Sequence, residues 1–160
     1  MNHTSTVVSV AKHLNESKLL SNVGLPYILG ETNSLYNEWG VDFNLYCAAM
    51  GIARVHMHQG TNYRYASWQP VQTVNETRGT KAPYYGNIMV ATFLGDLTKG
   101  SVSISDLELG NIYQNAYAAY VDGRLERIAI IQMNAYNYTV GTSSPRPSET
   151  FSFQLPTVMV

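Results

Sequence analysis

Pro26-Tyr27-Ile28-Leu29-Gly30-Glu31-Thr32-Asn33-Ser34 drives a short apolar run straight into a carboxylate. An uninterrupted apolar run bounded by turn residues is the pattern of a buried parallel strand, since a strand covered on both faces has no polar alternation. A polar group at the C-terminal end of such a strand sits where barrel enzymes keep their chemistry. Glu31 is therefore the first candidate for a catalytic residue, weighed against the ordinary alternative of a solvated loop charge.

On either side the chain alternates. From Thr4 to Leu20 the apolar residues Val7, Val8, Ala11, Leu14 and Leu19 recur at spacings near three and four, which predicts an amphipathic helix ended by Gly24 and Pro26. Trp39 to Met50 again shows helical spacing up to a glycine stop at Gly51, and Ile52–Met57 reads as a second buried strand. A polar and aromatic loop leads to a third helix over Tyr84–Leu94. Helix, strand, helix, strand, loop, helix is the tail of an alternating α/β barrel, with two of the eight strands such a barrel needs. Beyond about Gly95 the period changes to two: Val102–Leu109 alternates apolar and polar residues, as a half-buried strand does. Tyr117–Val121 and Leu125–Ile131 flank Asp122-Gly123, a pair that tolerates the positive φ of a tight hairpin. After a loop over Thr142–Pro147, Thr150–Leu155 is expected to be a last alternating strand.

Composition excludes several classes. With 10 basic and 11 acidic residues scattered over 160, the net charge of −1 provides no field for a phosphate backbone, so nucleic acid is not an expected partner. No run approaches the length of a membrane span; Ile88–Leu94 stops at Gly95. Val7-Val8-Ser9-Val10-Ala11 is too short an apolar core for a signal peptide and has no basic lead. The single cysteine, Cys47, among Leu45, Tyr46, Ala48 and Ala49, reads as a buried small hydrophobe. Acceptor sequons for N-glycosylation stand at Asn2, Asn15, Asn75 and Asn137, although a chain this rich in Asn, Ser and Thr also produces such triplets by chance.

Three stretches, Gly30-Glu31-Thr32-Asn33-Ser34-Leu35-Tyr36, Gly51-Ile52-Ala53-Arg54-Val55-His56-Met57-His58-Gln59-Gly60-Thr61 and Ala82-Pro83-Tyr84-Tyr85-Gly86, occur in this order. They resemble the later part of the fungal and bacterial β-glucuronidases of glycoside hydrolase family 79, the family that includes heparanase. The resemblance runs from near Met1 to the C-terminus. It implies the last two βα units of a (β/α)8 TIM barrel over residues 1–95 and part of an antiparallel β-sandwich domain over 96–160, an α/β plus all-β fragment. It also implies an extracellular setting for the complete protein, a β-glucuronide as carbohydrate partner and no cofactor.

By the same resemblance Glu31 is the nucleophile of a retaining glycosidase. Such enzymes use two carboxyl groups about 5–5.5 Å apart. The family takes its acid/base from an Asn-Glu pair near barrel strand four, upstream of this sequence. Asn15-Glu16 is the one Asn-Glu pair before Glu31, and it falls in the first helix, where Glu16 reads as a solvated helix residue. Tyr36 matches a tyrosine that helps to hold the sugar ring or its carboxylate, with packing within its loop as the alternative. About fifteen residues of the family pattern are missing between Tyr36 and Trp39 by the same comparison, a figure that would shorten the helix by roughly two turns or more.

His56 and His58 share one face of their strand, but two histidines make no zinc site, and no metal is expected. The resemblance places His58 at a sugar hydroxyl and Tyr65 at the uronate carboxylate, with Arg64 available to the same charge, while His56 is expected to pack. Gln59 and Gly60 read as shaping the turn. Tyr63, Tyr65, Trp68, Tyr84 and Tyr85 suit a sugar-stacking platform and suit a core equally well. Three readings follow: a fragment of a retaining β-glucuronidase, inactive alone; a noncatalytic carbohydrate-binding fragment; and an incomplete gene product without independent function. Unpaired strand edges at Tyr27–Gly30 and Ile52–Met57 predict self-association of the isolated chain.

Overall fold

The computed structural model describes residues 1–32, 37–136, 145 and 147–155. Helix α1 spans His3–Leu19. The Asn2 side-chain oxygen accepts from the Ser5 N–H at 2.9 Å, and the Asn2 N–H donates to the Ser5 hydroxyl at 3.0 Å, a reciprocal capping box. A short 3₁₀ turn closes at Gly24, whose φ of +70° is left-handed. Strand β1, Ile28–Thr32, runs through Glu31 rather than stopping before it. Helix α2, Asn37–Ala49, then returns the chain to β2, Arg54–Met57. The strands pair in parallel, Ile28 opposite Arg54 and Leu29 opposite Val55, so the two expected strands cover one edge of each other. A helix is the connection that parallel neighbours require.

Helix α2 is central. Trp39, Val41, Asp42, Phe43, Leu45, Tyr46 and Cys47 are all buried, as the sequence demands, because a helix apolar all round must be covered on every side. Burial pushes the Cys47 thiol up to about 12, which keeps it protonated and inert, in agreement with its structural reading.

The following loop holds a short antiparallel ladder that sequence reading missed, β3 (Trp68–Gln69) on β4 (Gly79–Thr80). Two-residue strands carry no period to detect. Helix α3, Ala82–Leu94, has Pro83 in its first turn, where a missing N–H costs nothing. Its C-terminal carbonyls are capped from elsewhere: Arg127 donates from Nε to the Phe93 oxygen at 2.8 Å and from Nη2 to the Leu94 oxygen at 3.3 Å.

Strands β5 (Val102–Asp106), β6 (Gln114–Val121) and β7 (Arg124–Gln132) form an antiparallel sheet in that order. Asp122 and Gly123 turn the hairpin with φ of +49° and +79°, the primed geometry that Asp-Gly favours. The strand expected over Thr150–Leu155 is not formed. Phe151 and Phe153 are half-buried between exposed neighbours, so the alternation is real. A ladder also needs a backbone edge to pair with; just before this segment, the Glu149 side chain accepts from the facing Gln114 and Gln132 amides. Asn137 and most of the loop over Thr142–Pro147 lie outside the described residues.

One apolar cluster joins both sides of position 95, from Val10, Leu29, Phe43, Leu45 and Ile52 to Phe93, Tyr117 and Ile131. Among the described residues no helix is long and apolar enough to cross a membrane.

Candidate active site

Parallel neighbours end on the same side of a sheet, and this is what brings Glu31 to His58. Glu31 is the penultimate residue of β1 and its side chain is 72% exposed; His58 directly follows β2, and its backbone N–H donates to the Thr32 oxygen at 2.8 Å. Nδ1 of His58 then lies 2.9 Å from Oε1 of Glu31.

The imidazole is seated by its own loop. A Cβ at Gly60 would stand 2.8 Å from His58 Nε2, so glycine permits the ring's position through closeness rather than through φ. Tyr63 meets the ring edge-on at 4.8 Å between centroids, Tyr65 meets Tyr63 edge-on at 5.6 Å, and the Arg64 guanidinium carbon is 5.0 Å from the Tyr65 centroid. Glu31, His58, Tyr65 and Arg64 therefore lie along one chain of contacts, with Tyr63 as the link. Tyr84 and Tyr85 make a second edge-on pair, and Trp68 and Tyr85 are exposed.

Side-chain amides replace regular structure in holding this loop. Gln59 donates to the Trp68 oxygen at 2.7 Å and accepts from the Ser67 N–H at 2.8 Å, which fits its turn-shaping role. The buried Gln69 accepts from the Asn62 N–H at 3.1 Å and donates to the Val71 oxygen at 2.9 Å. Lys81 ties Glu76 to the Tyr63 carbonyl. The available signal was the density of amides between two glycines; it marks polar satisfaction but not which partners meet.

Other expectations fall differently. His56 is exposed rather than packed, because its face of β2 is uncovered. Tyr36 lies outside the described residues. Among the described residues no group of His, Cys, Asp and Glu could hold a metal ion. Glu16 is not simply solvated: it accepts from the Tyr27 hydroxyl at 2.7 Å and so joins α1 to the start of β1. Of the sequons, Asn15 and Asn75 are exposed, whereas Asn2 has its side-chain oxygen engaged as the α1 cap.

A second constellation went unread. Asp42, fully buried in α2, receives the Tyr117 hydroxyl at 2.7 Å and lies 3.1 Å from His3 Nδ1. Burial, then the Asp42 charge, pushes the Tyr117 phenol far above its ordinary range. A lone carboxylate inside an apolar helical run was the signal that could have found it.

A family model for the glycosyl hydrolase family 79 C-terminal beta domain matches residues 116–159. A beta-glucuronidase of Aspergillus niger is 52% identical in an alignment covering 98% of this chain and 32% of that protein; one of Neurospora crassa is 43% identical over 98% and 34%. The chain belongs to glycoside hydrolase family 79. A solved structure, the 4-O-alpha-L-rhamnosyl-beta-D-glucuronidase of Fusarium oxysporum in complex with Rha-GlcA, superposes with a TM-score of 0.71 over 87% of this chain and 31% of its own, at 22% identity. This family 79 chain thus spans about a third of the relatives it matches.

Proposed function

We propose that this chain carries the nucleophile half of a retaining β-glucuronidase. In this reading residues 1–95 supply the last two βα units of a (β/α)8 barrel and 96–160 part of its C-terminal β-sandwich domain, in a protein that acts outside the cell. The observation that carries it is the 2.9 Å contact between Glu31 and His58 at the matching ends of two parallel strands. That is where barrel enzymes collect reacting groups from different strands. Glu31 attacks the anomeric carbon to form a glycosyl-enzyme, His58 orients the attacking carboxylate and meets a sugar hydroxyl, and Tyr65, Arg64 and Tyr36 hold the uronate. The names of the relatives, both beta-glucuronidases, support the substrate class.

The acid/base is a different matter. Glu16 is engaged by Tyr27 on α1, and the family pattern assigns the role to an upstream segment. Without a general acid the rate falls by about 10²–10⁴-fold, and in this reading the second carboxyl of the retaining pair belongs to that upstream segment. The chain by itself is therefore inactive; turnover of an aryl glucuronide by the purified chain, lost in Glu31→Gln, would overturn this.

The exposed Arg64 over the half-buried Tyr65, joined to His58 through Tyr63, favours a second reading, carbohydrate binding without catalysis. Saturable binding of a glucuronide by the inactive chain, abolished in Tyr65→Ala, would select it.

The nucleophile assignment is tested in a protein restored with the upstream barrel and the segment after Tyr36. Glu31→Ala should nearly abolish turnover, and added azide should enter the vacated space to give the α-glucuronyl azide. An acid/base variant would instead yield the β-azide by resolving the glycosyl-enzyme with net retention. Recovery of the β-azide, or near-normal hydrolysis by Glu31→Ala, would remove Glu31 from the role.

A further inference from the structure

We propose that His3 is a pH-sensitive clasp, holding the start of α1 against α2 and the β-sheet while both ring nitrogens carry protons and loosening it when one is lost. The geometry is that of a cation between anions. Nδ1 lies 3.1 Å from each carboxylate oxygen of Asp42 on α2, and Nε2 lies 3.9 Å from Oδ2 of Asp106 at the end of β5. A neutral imidazole has one N–H, so one of the two nitrogens must then turn a lone pair toward a carboxylate. Only the imidazolium offers a proton to both.

The surroundings give this choice weight. The His3 side chain is 14% exposed, that of Asp106 8% and that of Asp42 fully buried, so water does little to screen the three. From α2 the ring faces Asp42 and Tyr46, whose ring it meets edge-on at 5.6 Å; from β5 it faces Asp106; two residues past the strand's end Glu108 adds its charge; and from β6 Tyr117 reaches Asp42. Both tyrosines are shifted upward by burial and these carboxylates, so they stay neutral where histidine titrates. Burial by itself would lower the His3 pKa, but the Asp42 hydrogen bond and charge, with Asp106 and Glu108, outweigh it and raise it above 6.5. The sign follows. A pKa raised by folding gives stability that is complete below the unfolded value and fades as pH rises through the folded one.

What loosens is local. The His3 N–H donates to the Ile112 oxygen at 2.8 Å, and the ring walls a cavity of about 270 Å³ shared with Tyr46, Asp106, Glu108, Asn111 and Gln114. Release of the ring separates the first turn of α1 from the segment between β5 and β6 and opens this cavity.

The test titrates the His3 ring by NMR in the full chain, identified by its loss in His3→Gln, and follows urea unfolding of both proteins from about pH 5.5 to about pH 8.5, the range across which a histidine changes charge. The clasp predicts a His3 midpoint above 6.5 and a stability gap between native chain and His3→Gln that closes as pH rises. Asp106→Asn, which keeps the Asp42 contact and needs no new packing, should lower the midpoint. A midpoint at or below 6.5, an unchanged midpoint in Asp106→Asn, or a gap that does not vary with pH would each overturn the proposal.

Discussion

Two histidine–carboxylate pairs in this chain have almost the same length and opposite settings. Glu31 and His58 meet at 2.9 Å with side chains 72% and 39% exposed; Asp42 and His3 meet at 3.1 Å with side chains 0% and 14% exposed. Exposure decides what each contact can do. Water screens the first pair to about 0–1 kcal/mol, so Glu31 stays open to solvent. The second cannot be parted without stranding a buried charge, and it works as a joint between α1, α2 and β6. A histidine beside a carboxylate is therefore no sign of chemistry until its access to solvent is known.

The contrast breaks most readily at Asp42. Asp42→Ala removes the acceptor of the Tyr117 hydroxyl and the partner of His3 together, and should cost about 3–5 kcal/mol in urea unfolding. A loss below about 1 kcal/mol would place both pairs in the same energetic class.

A smaller effect is expected at Gly60. The new methyl group of Gly60→Ala would stand 2.8 Å from His58 Nε2; a ring tip can move aside, so the cost should be near the low end for overpacking, about 1 kcal/mol. The displaced ring should leave Glu31, seen as a changed His58 signal by NMR. An unchanged signal would show that the exposed pair does not depend on its loop.

The smallest change is expected for Glu31→Gln, whose effect on unfolding of the chain should stay under about 1 kcal/mol. A larger loss would mean that Glu31 serves the fold as Asp42 does. The predicted order, Asp42 well above Gly60 and Gly60 at or above Glu31, is the contrast in measurable form.

The candidate site was legible to different depths. Glu31 could be read from its strand because an apolar run ending in a carboxylate is a local pattern, and His58 from the motif around it. Their 2.9 Å contact could not, since it depends on β1 and β2 pairing in parallel. His56 shows the limit of periodicity: period two placed it on the His58 face, but whether that face is covered depends on what packs there, and nothing among the described residues buries it. Thr150–Leu155 shows the same limit for the backbone, as its alternation is present while the ladder is not.

By itself the sequence determined the elements whose causes are local: the helices α1 and α2, the glycine stop at Gly51, the Asp122-Gly123 turn, and the family through three quoted motifs. These depend on neighbours a few residues apart, which the sequence displays. Only the tertiary structure decided that Tyr117 would cross from the β-sheet to Asp42, that Arg127 would cap α3, and that of two similar pairs one would be sealed and the other left open. Those contacts join residues 27 to 75 positions apart, and the burial that sets their strength is a property of the packed chain.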